Sequence, residues 1–252
     1  MIAVIDCDSL AFSVFHPNKV LDKLGVPMRT EDGSKFLYEE KTEEQVMSSA
    51  EYFMNKILSS SGASGYIGFI KGENTTQLRL SFNSEYKADR KKTDPPKWWN
   101  FTKEYLINQW NVYEANDGEV DDYVVSAKKQ VPNTFICAID SDILGIAGKH
   151  YNWRKEEWVT VTSKQEDDKF WKEMIVGSHN GTKGLTKCGE KYAEKLFKDI
   201  DDKRTAVFKE YIKHYGEYKG IDMFMREYKC LKLIDNLDIS QYKTIKYDNR
   251  VL

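Results

Sequence analysis

The opening residues constrain this chain most. Ile2-Ala-Val-Ile is an apolar run closed by a carboxylate, Asp6. That is the pattern of a strand buried on both faces of a parallel sheet and ending at a polar rim. It returns at Thr134–Ile139, closed by Asp140, with another apolar run at Tyr66–Ile70 between them. The stretches separating these runs have a helical period. Residues 43–58 put Val46, Met47, Ala50, Phe53, Met54, Ile57 and Leu58 on one face. Ser59–Gly65 reads as a loop, 102–110 as a helix and Asn111–Glu114 as a short strand. Glu119–Gln130 reads as a helix whose acidic start suits the positive end of its dipole. Strands alternating with helices imply an α/β chain with a central, mostly parallel sheet flanked by helices. The active site of such a sheet lies at the carboxyl ends of the strands.

Further along, Trp153–Thr162 alternates like a hairpin looping at Lys155–Glu157. Residues 166–176 and 189–198 read as helices joined by a Gly-rich turn, and the tail from about 205 as helical, then irregular. The expected division is a core over 1–165 and a helical C-terminal region over 166–252. Cys7, Cys137, Cys188 and Cys230 form no CxxC pair, which argues for reduced thiols in a cytoplasmic protein and against a zinc site. Nothing reaches membrane-spanning length, and the first apolar run is too short for a signal peptide. A net charge of −2 argues against a generic nucleic-acid coat. The charge is unevenly spread, however, with basic stretches at Lys87–Lys103 and Lys183–Lys195 flanking the acidic sites.

Three acidic sets fall at strand ends: Asp6 with Asp8, Glu119-Val-Asp121-Asp122, and Asp140-Ser-Asp142. Carboxylates brought into one crevice cannot all stay ionised without cations. Hard oxygen ligands with no His or Cys cluster favour Mg²⁺ or Mn²⁺, ions that drive phosphoryl transfer. A DxD after the first strand also fits a haloacid-dehalogenase-like phosphatase with an aspartate nucleophile. That reading leaves the run Tyr86-Lys87-Ala88-Asp89-Arg90 unexplained.

Five motifs, IDCDSLAF (5–12), LRLSFNSEYKADRKK (78–92), GEVDDYV (118–124), AIDSDILGI (138–146) and GLTKCGEKYAEKLF (184–197), occur in order over about residues 1–200. Together they resemble the phage branch of the 5′-nuclease superfamily, which includes flap endonucleases and 5′–3′ exonucleases. The resemblance implies a PIN-like core, a helical arch at about 80–110 and a helix-hairpin-helix in the C-terminal region. It implies a metal-dependent 5′ nuclease acting on DNA with a 5′ end or flap, and on RNA in RNA–DNA hybrids. Asp6, Glu119, Asp121, Asp122, Asp140 and Asp142 would be metal ligands, and Asp8 a helix cap. Lys87 and Arg90 would contact the scissile phosphate. Arg79, Tyr86, Lys91, Lys92, Lys183, Lys187 and Lys191 would bind nucleic acid, with Lys97 adding a phosphate contact. Trp98 and Trp99 are expected in packing rather than stacked on bases. The hairpin's glycines would let backbone N–H groups approach phosphates, and a K⁺ ion there is a further expectation.

Two departures stand out. Where the family has Gly-Asp-x-x-Asp for a second metal, this chain has Gly177-Ser178-His179-Asn180-Gly181, with no carboxylate. The second metal site is therefore expected to be degraded, and a DNA-binding descendant with weak or lost catalysis becomes the alternative. Asp167 and Asp168 lie near in sequence but behind a helix. After the second strand, Phe69-Ile70-Lys71-Gly72-Glu73 lacks an aspartate found in many relatives. Glu73 stands as a substitute, or Lys71 as a partial neutraliser of the cluster.

Overall fold

The computed structural model describes residues 1–88, 94–178 and 182–248. β1 (Ile2–Asp6) sits at the centre of the main sheet, with Ala3, Val4 and Ile5 fully buried. It runs straight into α1 (Cys7–Val14). A two-strand ladder, β2 (Asn18–Lys19) and β3 (Tyr38–Glu39), fills the connection to α2 (Glu43–Ser60). α2 starts in a capping box between Thr42 and Gln45. β4 (Gly65–Lys71) follows, then α3 (Gln77–Phe82), α4 (Trp99–Trp110), β5 (Tyr113–Ala115), α5 (Val120–Gln130) and β6 (Thr134–Cys137). β7 (Gly148–Asn152) and β8 (Glu157–Val161) form a hairpin before α6 (Ser163–Val176), α7 (Glu190–Phe197), α8 (Lys203–Tyr215), α9 (Glu217–Leu231) and the short β9 (Ile245–Lys246).

The sheet order is β5-β4-β1-β6-β7-β8, parallel except for β8, with β9 antiparallel on β4. One face is covered by α1, α2 and α4 through Leu10, Met54, Leu58 and Leu106; the other by α5 through Val124 and Ala127. A separate cluster around Trp171, Tyr211 and Phe224 holds α6, α8 and α9 together. Among the described residues no helix is long and apolar enough to cross a membrane.

Three expectations need correction. The hairpin begins earlier than Trp153: its first strand is Gly-Lys-His-Tyr-Asn, polar in composition, yet His150 and Tyr151 are buried beside Ile136 and Cys137. The tail does not stay with the C-terminal helices. Beyond α9 it returns to α5, where Ser126 Oγ donates to the Ile234 carbonyl and accepts from the Leu237 N–H, and Ile239 joins the core. Finally, much of the expected arch is wall: Thr102 and Leu106 of α4 are fully buried, facing α1 and α2. Trp98 and Trp99 pack against that same core as expected, the Trp98 indole donating to the Lys41 carbonyl.

Candidate metal and nucleic-acid site

Parallel pairing of β1 with β6 places Ile5 beside Cys137, so Asp6 and the Asp140 turn emerge at the same sheet edge. Asp6, not Asp8, is the N-cap of α1: its Oδ1 accepts from the N–H groups of Asp8 (3.0 Å) and Ser9 (3.4 Å). Its other oxygen takes the Ser9 hydroxyl. Burial raises the Asp6 carboxyl above its ordinary range, and Asp140 adds repulsion. Asp8 accepts the Lys71 N–H at 2.7 Å from the end of β4. Burial and the neighbouring Asp6 push Asp8 up to about 7, with Lys71 and Lys103 opposing. Glu73 is exposed, its N–H tied to Asn116 at 2.7 Å. Asp140 Oδ1 accepts the Asp142 N–H at 2.8 Å, fixing the turn that follows β6.

At the start of α5 the three acidic residues have different fates. Asp121 has no side-chain hydrogen bond or ion pair among the described residues. Burial and repulsion from Asp6, Asp140, Glu119 and Asp122 hold its carboxyl well above the usual range. Glu119 takes the Lys87 ammonium, the Tyr86 hydroxyl at 3.1 Å and Arg79 Nη1 at 3.3 Å. Asp122, expected as a metal ligand, is fully buried against Arg79, with Nη1–Oδ2 at 2.6 Å and Nη2–Oδ1 at 2.8 Å. It also accepts the N–H groups of Ile234 (2.8 Å) and Glu119 (3.2 Å). Four donors occupy its lone pairs, so as placed it offers no oxygen to an ion.

Arg79 is corrected by the same observation. At 2 % exposure, with Nε on the Cys230 carbonyl at 3.1 Å, it joins α3 to α5 and α9 and cannot reach a phosphate. Tyr86 is also buried, its hydroxyl spent on Glu119. Arg90, Lys91 and Lys92 lie outside the described residues. Lys87 adopts a left-handed backbone (φ 56°) that turns its ammonium inward onto Glu119. Lys97 is exposed and paired with Glu40 at 2.9 Å.

A cavity of about 390 Å³ opens beside these groups, lined in part by Glu119, Asp121, Asp142, Lys169, Glu173 and Thr182. Lys169 and Glu173 were not foreseen from the sequence. Their only signal was an i,i+4 pair on a helix, which is commonplace. Burial raises the Asp142 carboxyl, and Lys169 opposes that shift. Asp167 and Asp168 are engaged elsewhere, both on Lys203 of α8.

The turn after α6 closes tightly. The Ser178 N–H donates to the Thr182 carbonyl (3.0 Å) and Leu185 N–H to the Ile175 carbonyl (2.8 Å). Gly177 and Gly184 have φ of +87° and +61°. A Cβ on Gly184 would lie 2.3 Å from the Gly177 nitrogen, so only glycine fits. The N–H groups expected to face phosphates are partly taken: the buried Glu227 carboxylate accepts from Lys183 (3.1 Å) and Gly184. Lys183 Nζ is 3.0 Å from Glu85. Lys187 and Lys191 are exposed on either side of Gly189, the N-cap of α7.

Among the described residues, no three carboxylate, imidazole or thiol groups are arranged to grip an ion as they stand. The donor set nonetheless suits a divalent ion at one position. Asp6, Asp121 and Asp140 bring hard oxygens to one rim, and buried Asp121 is repelled by Asp6, Asp140, Glu119 and Asp122 with no ion pair among the described residues. Glu119 could join them once Lys87 turns away. At the second position, among the described residues, Ser178 and Thr182 bring only hydroxyls, bonded to each other at 2.9 Å, and no carboxylate.

A mostly parallel sheet flanked by helices, carboxylates at its rim and an attached helical region define the fold of the 5′-nuclease family, and this chain has that fold. Solved structures sharing it include a bacteriophage T5 flap endonuclease in a product complex with DNA and metal ions (TM-score 0.61, 13% identity, 93% of this chain and 89% of that one). Flap endonuclease-1 from Methanococcus jannaschii has a TM-score of 0.55 at 17% identity, covering 96% of this chain and 80% of that one. The catalytic core of Rad2 with DNA substrate has 0.52 at 12%, covering 95% and 75%. No protein-family model and no curated protein matches the sequence.

Proposed function

We propose that the chain is a divalent-metal-dependent 5′ nuclease. It would hydrolyse phosphodiester bonds of DNA at a 5′ end or flap, with RNA in RNA–DNA hybrids as a further substrate and DNA replication as the setting. The observation that carries this reading is Asp121, a carboxylate with no donor among the described residues, crowded by Asp6, Asp140 and Glu119 beside a cavity. Such a group is stabilised by a cation, and Mg²⁺ or Mn²⁺ suits its oxygen neighbours. When bound, the ion supplies an activated water and charge for the phosphoryl oxygens.

The chain's own residues do the rest. Asp6, Asp121, Asp140 and, once released, Glu119 hold the cation, with Asp142 at its border. Lys87 leaves Glu119 for the scissile phosphate, with Arg90 beside it, a charge-assisted contact that strengthens as charge develops. Lys187 and Lys191 hold the duplex backbone at the N-terminus of α7, where K⁺ could share the load, while Lys91, Lys92 and Lys183 add sequence-independent charge. Resemblance to nucleases that bind DNA and metal ions supports this reading.

The test is cleavage of a 5′-labelled flap DNA with Mg²⁺ or Mn²⁺ by wild type and Asp140→Asn. Metal-dependent cutting, lost in the variant, is expected. The missing carboxylates at 177–181 favour a second reading, a structure-specific DNA-binding protein. Tight flap binding with no cutting by either protein would establish it and reject the first.

A further inference from the structure

Phosphoryl transfer between two cations needs positive charge at both the attacking and the leaving oxygen. Around Asp142, among the described residues, an ammonium already stands where a second ion would need its oxygens. Lys169, on α6, sends its ammonium across to the turn after β6. Its Nζ donates to the Ser141 carbonyl at 2.7 Å and lies 3.6 Å from Asp142 Oδ1 and 3.7 Å from Glu173 Oε1. One carbonyl and two carboxylates thus face the Lys169 ammonium, an oxygen environment of the kind a hard cation occupies.

An ordinary helix-surface pair would involve Glu173 alone and lie in solvent. This one is different in two respects. The lysine is two-thirds buried, and its stem packs directly on the neighbouring turn. A Cβ on Gly145 would meet Lys169 Nζ at 2.6 Å and Cδ at 2.7 Å. The φ of Gly145 is not in the left-handed region, so the turn's backbone does not demand glycine there. The end of the Lys169 side chain lies in the space a Cβ there would take. Lys169, Asp142 and Glu173 also line the same cavity as Glu119 and Asp121.

We infer that the Lys169 ammonium is a built-in second cation, so that the chain binds one divalent ion where a two-metal nuclease binds two. This rests on the proposed nuclease reading and deepens it. The Lys169 side chain would hold Asp142 away from a metal and present fixed charge to the phosphate. A lysine is a strongly hydrated point charge with rotatable donors, able to follow an oxygen as the bond breaks.

The experiment is Mn²⁺ titration of the purified full chain followed by electron paramagnetic resonance, which counts bound ions without any turnover. Wild type, Lys169→Ala and Lys169→Met are compared, the methionine keeping the aliphatic stem so that packing against Gly145 survives. The expected result is one tightly bound Mn²⁺ for wild type and two for both variants, because removing the ammonium opens Asp142 and the Ser141 carbonyl to a second ion. Flap cleavage at low metal should fall about 10²-fold in the variants, as for loss of one charge-stabilising donor, and recover as Mn²⁺ is raised. Two tightly bound ions in wild type, or one in both folded variants, overturns the inference while leaving the nuclease reading intact. No bound Mn²⁺ in any of the three overturns both.

Discussion

Replacing Arg79 by methionine separates the two roles proposed for it, phosphate contact and internal brace. The guanidinium makes three hydrogen bonds, two to Asp122 and one to the Cys230 carbonyl, and is 2 % exposed. Asp122 has no exposed surface, so removing its partner leaves a buried carboxylate with no counter-charge. Breaking a buried pair from one side costs about 3–5 kcal/mol. The N–H groups of Ile234 and Glu119 remain on Asp122, which places the loss near the lower end, about 3 kcal/mol. With a urea m-value of about 3 kcal/mol/M, the unfolding midpoint should drop by about 1 M. Arg79→Met with Asp122→Leu removes both charges together and should recover much of that loss. The assay is equilibrium urea unfolding by circular dichroism, run in EDTA so that metal binding does not contribute. If Arg79→Met leaves the midpoint unchanged and instead lowers the salt dependence of flap binding, Arg79 contacts DNA and the brace is wrong.

Two further outcomes follow from charge. Asp8, held near pH 7 against an ordinary 3.8, favours the folded state only while protonated. Its contribution is whole below about pH 4 and gone above about pH 7, a loss bounded at about 4 kcal/mol. Asp8→Asn should therefore raise the urea midpoint at pH 8 in EDTA and leave it unchanged at pH 4; a pH-independent difference would contradict this. Lys187→Ala and Lys191→Ala should weaken duplex binding equally for unrelated sequences. Each should make the slope of log K against log salt shallower by about 0.9, measured by fluorescence anisotropy, and an unchanged slope would remove that lysine from the interface.

The strands that carry the site were legible because burial leaves a mark on composition. Ala3–Ile5 and Phe135–Cys137 are apolar on both faces, and each run leads to its aspartate at the same rim. β7 was not legible for the converse reason. Gly-Lys-His-Tyr-Asn alternates without an apolar stripe, and its burial comes from β6 on one side and β8 on the other. The tail's return was hidden too, since Ile234–Ile239 is tied to α5 by backbone groups that any sequence carries.

Within the site, the boundary between legible and illegible falls where local spacing stops and tertiary pairing begins. Asp121 and Asp122 are adjacent and chemically identical, yet one faces the crevice and the other the interior. Half of that distinction is local. Asp122 lies three residues after Glu119, the position from which a side chain folds back to the N-cap N–H, as it does here at 3.2 Å. The other half is Arg79, 43 residues upstream, which no period or motif connects to Asp122. Lys169 and Asp142 pose the same problem across the gap between two clusters of packing. A carboxylate's role is set by which cation reaches it, and cations on long side chains are placed by packing. Motif order therefore located the acidic rim, while the assignment of each oxygen to arginine, lysine or metal required the three-dimensional arrangement.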